Sequence, residues 1–173
     1  MVFVFTGNGK GKTTSALGQA LRVVGQGGKA IIIQFIKSKN WPTGEEKALK
    51  IFGKKLHLIK GGRGFVGIMG DKLPFLVHKK AAKETLKRAR KEILSKKYNL
   101  VVLDEINVAL SLKLLSLSEV LKLLKSTSKN VDLILTGRGA PQELINRADV
   151  VTNFQEIKHP FQKGVLGKRG VEY

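Results

Sequence analysis

The 173-residue sequence predicts an α/β fold: a doubly wound, mostly parallel sheet of about six strands. Three observations predict it. Short runs of Val, Ile, Leu and Phe are continuous in apolar residues, as in strands covered on both faces. Segments of helical character fall between these runs, the order that parallel strands joined by crossovers require. A glycine-rich turn joins the first apolar run to the first helical segment. No internal repeat or linker interrupts the pattern, so residues 1–173 read as a single domain with room for a real core.

The elements follow in order. Val2-Phe3-Val4-Phe5 is a first strand, feeding a helix from Lys12 to about Gly25. Ala30 to Ile36 is a second strand, followed by a loop with Trp41, Pro42 and Gly44 and a short helix near Glu45 to Phe52. Leu56 to Ile59 is a third strand. Gly61 to Pro74 carries five glycines and no period, so it reads as a long loop, the kind more often functional than idle. Ala82, Leu86, Ala89 and Ile93 recur at helical spacing on the next segment. Asn99 to Leu103 and Val131 to Leu135 are the fourth and fifth strands, Pro141 opens a helix, and Val150 to Ile157 is a sixth strand. Ligands of such sheets bind beyond the carboxyl ends of the strands.

The turn after the first strand reads Thr6-Gly7-Asn8-Gly9-Lys10-Gly11-Lys12-Thr13-Thr14. Backbone N–H groups of such a turn converge on phosphate oxygens, Lys12 adds a point charge, and the Thr13 hydroxyl suits Mg²⁺. This P-loop is a variant, because Thr6 stands where the usual spacing has its first glycine. A bare strand-to-helix turn would not need three alternating glycines and two lysines. Gly7 to Thr14 are therefore the expected nucleoside triphosphate-binding residues.

The fourth strand runs into Asp104-Glu105, two acids placed to hold Mg²⁺ and orient a ligand in a P-loop protein. The competing reading is a helix cap with an acidic first turn. The metal reading is preferred, with Glu105 as the first ligand, Thr13 as its hydroxyl partner and Asn107 close enough to share the site. Lys12 and Glu105 are the expected catalytic pair. The fifth strand ends in Thr136-Gly137-Arg138-Gly139, where Arg138 can reach a phosphate chain. His57, His78 and His159 show no catalytic partner pattern.

Composition narrows the class. The formal charge is +19, and residues 72–97 hold ten Lys or Arg against two Glu. Such a balance suggests a polyanionic partner, either nucleic acid or a polyphosphate. The lysines wrap their helix without interleaved aromatics, and only 6% of residues are aromatic, which disfavours nucleic acid. Absence of cysteine excludes a disulfide framework and thiolate chemistry. No apolar run is long enough to span a membrane and no signal-type segment leads the chain, so the cytoplasm is the expected compartment.

Taken in order, these pieces resemble the P-loop type of corrinoid adenosyltransferase. The resemblance rests on Phe5 to Thr14, Gln34-Phe35-Ile36-Lys37 with Gly44-Glu45, Gly64-Phe65, Leu103 to Asn107, Thr136 to Ala140, Ala148-Asp149, Lys158-His159-Pro160-Phe161 and Gly164-Val165. It implies a RecA-like P-loop NTPase fold and transfer of the 5′-deoxyadenosyl group of ATP to the Co(I) of a reduced corrinoid, releasing triphosphate. It implies ATP held in reverse, with C5′ toward the corrinoid, and Mg²⁺ at the phosphates. It also implies a flavoprotein reductant, a homodimer, and a corrinoid side that includes Phe65, Asn107 and His159. The pattern departs on that side. Gly67 stands where a second aromatic, usually tryptophan, is found; Val108 replaces a tyrosine; Gly167-Lys168 replaces Ala-Gln. A P-loop phosphohydrolase or kinase, and a nucleic-acid-binding NTPase, remain the alternatives at this point.

Overall fold

The computed structural model describes residues 1–68, 70–159, 164, 167–168 and 170–171. Six strands form one sheet: β1 (Val2–Thr6), β2 (Ala30–Gln34), β3 (Leu56–Lys60), β4 (Leu100–Asp104), β5 (Asp132–Thr136) and β6 (Val150–Asn153). Their spatial order is β3-β2-β4-β5-β1-β6, and every pair is parallel. The buried strands β2 and β4 expose none of their five residues, as continuous apolar runs require.

Helices cover both faces: α1 (Lys12–Gly25), α2 (Gly44–Leu49), α3 (Phe75–Leu94), α4 (Ile106–Ser111), α5 (Leu117–Lys125) and α6 (Gln142–Ile145). One core gathers Ala16, Ala20 and Val24 of α1 against Ile32, Val102 and Ile134 of the sheet. The other packs Ala82, Ala89 and Ile93 of α3 on the opposite face, against Ile31, Val101 and Leu133. Alternate residues of each strand thus enter alternate cores, so neither face can be left bare. No helix among the described residues is long and apolar enough to cross a membrane.

Three boundaries and two helices differ from the sequence expectation. β2 stops at Gln34: the Phe35 N–H still donates to Asp104 C=O, but the chain then bends away. The helix expected to reach Phe52 is α2 followed by a 3₁₀ segment, Lys50–Lys55, which breaks at Gly53 with φ of 52°. β6 ends at Asn153 instead of Ile157, because the next residues cross over the glycine-rich loop. Two helices, α4 and α5, were not foreseen, although Ser116 and Glu119 form a reciprocal capping box that announces the second.

Candidate functional site

Strands β4, β5 and β1 are neighbours, so the loops at their carboxyl ends meet. The loop after β1 turns through positive φ at Gly7 (94°) and Gly11 (108°), a conformation that side chains resist. Its outer side is covered by the chain leaving β6. A Cβ at Gly7 would collide with Asn153 and Phe154, and one at Gly9 with Gln155 C=O. The Gly9 N–H donates to Phe154 C=O at 2.7 Å. Two of the three glycines are thus demanded by close approach of the protein's own backbone. Thr6, where a glycine was usual, accepts the Ala140 N–H through its hydroxyl at 3.2 Å and ties this loop to the turn after β5.

Lys12 is buried and donates to Gly7 C=O at 2.7 Å and Gly9 C=O at 2.6 Å, inside the hollow of its own loop. Burial lowers its pKa, opposed by the Glu105 charge and assisted by that of Arg138. Asn8, Lys10 and Thr14 lie exposed around it. Arg138 donates to Asn8 C=O at 3.2 Å, so the turn after β5 places its guanidinium on the loop.

Asp104 is wholly buried at the end of β4. Its Oδ1 accepts from the Thr13 hydroxyl at 2.8 Å and the Thr136 hydroxyl at 2.7 Å, and its Oδ2 accepts from Gln34 Nε2 at 2.9 Å. The hydroxyl of Thr13 therefore pairs with Asp104 rather than with Glu105. The reason is geometric: Asp104 is still in the strand and faces the start of α1, whereas Glu105 has left it. Glu105 adopts the left-handed region (φ 62°), caps α4, and donates its N–H to Thr136 Oγ1 at 3.0 Å. Such a conformation is uncommon for a residue with a Cβ and costs about 1 kcal/mol or more. Gly137 leaves room beside its carboxylate: a Cβ there would stand 3.1 Å from Glu105 Oε2 and 2.9 Å from Val108 N. Burial first, and the Asp104 charge second, push the Glu105 pKa up to about 7, against the pull of Lys12, Lys37 and Arg138. Burial thus keeps the Glu105 carboxyl partly protonated near neutral pH, beside the hydrogen-bonded carboxylate of Asp104.

Asn107 is buried on α4, donates to Gly137 C=O at 3.3 Å, and leaves its Oδ1 without a hydrogen bond. The Oε1 of Gln34 is in the same state. Gln34, Thr136 and Lys37 carry roles at this site that were not assigned from sequence. A lone glutamine ending an apolar strand and a threonine ending another were the available signals.

The family model of ATP:corrinoid adenosyltransferases BtuR/CobO/CobP matches residues 1–173. The chain belongs to that family. It is 34% identical over 173 residues to the corrinoid adenosyltransferase of Escherichia coli strain K12, covering all of this chain and 85% of that one. It is 35% identical over 173 residues to the one of Pseudomonas aeruginosa, covering 100% and 83%. A Salmonella typhimurium corrinoid adenosyltransferase is 32% identical over 173 residues, with 100% and 85% covered.

In this adenosyltransferase-family chain the residues assigned to the corrinoid side are dispersed. Phe65 lies in the loop after β3, its ring packed edge-on against Trp41 with centroids 6.5 Å apart. Asn107 lies with the acids, and His159 is half-buried beyond β6. Pro160, Phe161 and Val165, part of the sequence resemblance, lie outside the described residues. The other histidines have local partners: His57 Nδ1 lies 2.7 Å from the Tyr98 hydroxyl, and His78 Nε2 lies 2.9 Å from Asp71 Oδ2.

Proposed function

We propose that this chain transfers the 5′-deoxyadenosyl group of ATP to the cobalt of a reduced corrinoid. The C5′–O bond breaks, a cobalt–carbon bond forms using the electron pair of Co(I), and triphosphate departs. The observation that carries this reading is the meeting of buried Lys12 and of Arg138 on the glycine-rich loop, at strand ends adjacent to the one that carries Asp104 and Glu105. Co(I) is itself a strong nucleophile, so the protein is not required to supply a base. What it must supply is positive charge aimed at a leaving group that gains negative charge. Lys12, buried in the loop hollow, and Arg138, on its rim, suit that task.

Mg²⁺ fits the donor set. Hard divalent cations of this size take one or two carboxylates beside substrate phosphates. Asp104, Glu105 and the Thr13 hydroxyl would hold it, and among the described residues no group of three acids or histidines competes. Bound there, it would supply further positive charge at the triphosphate. The single-domain organisation, the cytoplasmic location, a homodimeric state and a flavoprotein as electron donor belong to the same proposal. A nucleotide lying with C5′ toward the corrinoid belongs to it as well.

The test is a balance of products. Protein, Mg²⁺-ATP, a chemical reductant and hydroxocobalamin are expected to give adenosylcobalamin and triphosphate in equal amounts. Orthophosphate without triphosphate would favour a hydrolase and overturn the proposal.

A further inference from the structure

Building on the reaction just proposed, we infer that Trp41, beside Phe65, supplies a second aromatic surface against which the corrinoid ring lies. Three observations carry this. First, a Cβ placed on Gly67 meets nothing within 4 Å among the described residues, so the loop after β3 is open close to Phe65 in sequence. Second, Trp41 comes from a different loop, the one after β2, yet packs its ring edge-to-face on Phe65 at 79°. Both rings stay half-exposed, Trp41 at 51% and Phe65 at 42%. Packed together, the two rings form one exposed apolar patch, and such patches mark surfaces that a ligand or partner covers. A corrin is a broad, flat macrocycle, and exposed aromatic faces and edges suit such a surface.

Third, the pair is held from beneath. Lys60, at the end of β3 and only 5% exposed, donates to Trp41 C=O at 2.6 Å and forms an ion pair with Glu46. Glu46 in turn accepts the Thr43 N–H at 3.4 Å, closing the turn that carries Trp41. The two loops are joined at their bases, where Gly61 N–H donates to Gln34 C=O and Gly64 N–H to Ile36 C=O, each at 2.9 Å. Gln34 also bonds Asp104, so the aromatic pair rises from the same sheet edge that carries the phosphate-facing acids. A buried lysine bonded to a backbone carbonyl is an unusual investment for a surface loop, and it fixes where the indole stands.

Trp41 is the sole tryptophan of the chain, so its fluorescence reports on this position alone. With Mg²⁺-ATP present, adding hydroxocobalamin is expected to lower quenching of that fluorescence by acrylamide about twofold, since the open part of the ring becomes covered. Trp41→Ala should raise the KM for the corrinoid about tenfold, Trp41→Phe threefold or less, and both should keep the wild-type KM for ATP. Unchanged acrylamide access, or a Trp41→Ala protein with the wild-type corrinoid KM, overturns the assignment. The fluorescence experiment needs binding and no turnover, so it decides the place of Trp41 independently. Failure of the wild-type protein to form triphosphate sinks the proposed reaction instead.

Discussion

The two rims of the sheet's carboxyl edge are built on opposite plans. At β4, β5 and β1 the working groups are charged, buried and bonded to one another: Lys12 into its loop carbonyls, and Asp104 to Thr13, Thr136 and Gln34. Beyond β2 and β3 the prominent groups are apolar and open, and the charges, Lys60 and Glu46, lie below them as a brace. On the proposed reaction, the difference follows from what each rim meets: triphosphate at the first, the corrinoid at the second. A charge acts strongly on a ligand only where water is excluded, so it is buried and held in advance. An apolar surface gains its free energy by losing water when the ligand arrives, so it must be exposed until then.

The largest break in this contrast should come at Lys12. Lys12→Ala removes the buried cation from the phosphate rim and leaves the aromatic rim alone. A loss of at least about 100-fold in the rate of triphosphate formation is expected, the size seen when one donor aimed at developing charge is deleted. The KM for the corrinoid should stay where it is. Steady-state kinetics with either substrate varied separates the two; a parallel rise in corrinoid KM would mean the rims are not independent.

A smaller test compares two glycines. Gly9→Ala drives a methyl into Gln155 C=O, so the strap after β6 or the loop itself must move. The cost should be about 1–3 kcal/mol, as for other forced overpacking. Gly67→Ala meets nothing, and its only cost is the positive φ of 69°, about 1 kcal/mol. Thermal unfolding of the two variants gives the ranking, and ATP affinity should fall only for Gly9→Ala. Equal destabilisation would show that the strap is not packed on the loop as described.

Much of the phosphate rim was legible in the sequence because it is contiguous. Gly7 to Thr14, Asp104-Glu105 and Thr136 to Arg138 each lie within one strand-end turn, and a parallel sheet brings such turns together. The partner of Thr13 was assigned to Glu105 because sequence shows adjacency but not which acid remains in the strand. The left-handed twist at Glu105 settles that locally and leaves no trace in residue types. The strap over Gly7 and Gly9 was hidden for a related reason: it joins residues almost 150 positions apart, and the glycines already had an explanation in phosphate binding. On the aromatic rim, Phe65 was visible by motif, whereas its pairing with Trp41 depends on how two loops cross. No periodicity encodes that crossing. Helix α5 could have been read from its capping box and was passed over.

The finest distinction between the rims is the sign of their response to pH. On the aromatic rim, the hydrogen bond from Lys60 lowers the pKa of Glu46 below its ordinary 4.5. Burial raises that of Glu45, but the hydrogen bond and charge of Lys37 together with the backbone and Thr43 hydrogen bonds outweigh this, and the net shift is also downward. Carboxylates with lowered folded-state pKa values stabilise above 4.5, and that contribution is lost as pH falls through the folded values. Glu105 behaves oppositely: its folded-state pKa of about 7 lies above 4.5, so its contribution is present at low pH and fades as pH rises between those values. Acidification from pH 5 to pH 3 should therefore release the turn around Trp41, while the contribution of Glu105, already present in full below 4.5, stays constant. Tryptophan emission should shift to longer wavelength over that range, ahead of the loss of helical circular dichroism. Glu46→Gln should shift the emission already at pH 7 and flatten its pH dependence. The effect is small because Glu46 is largely solvated, and salt should weaken it further. An emission change that coincides with global unfolding, in both proteins, would show that the brace under Trp41 has no stability of its own to lose.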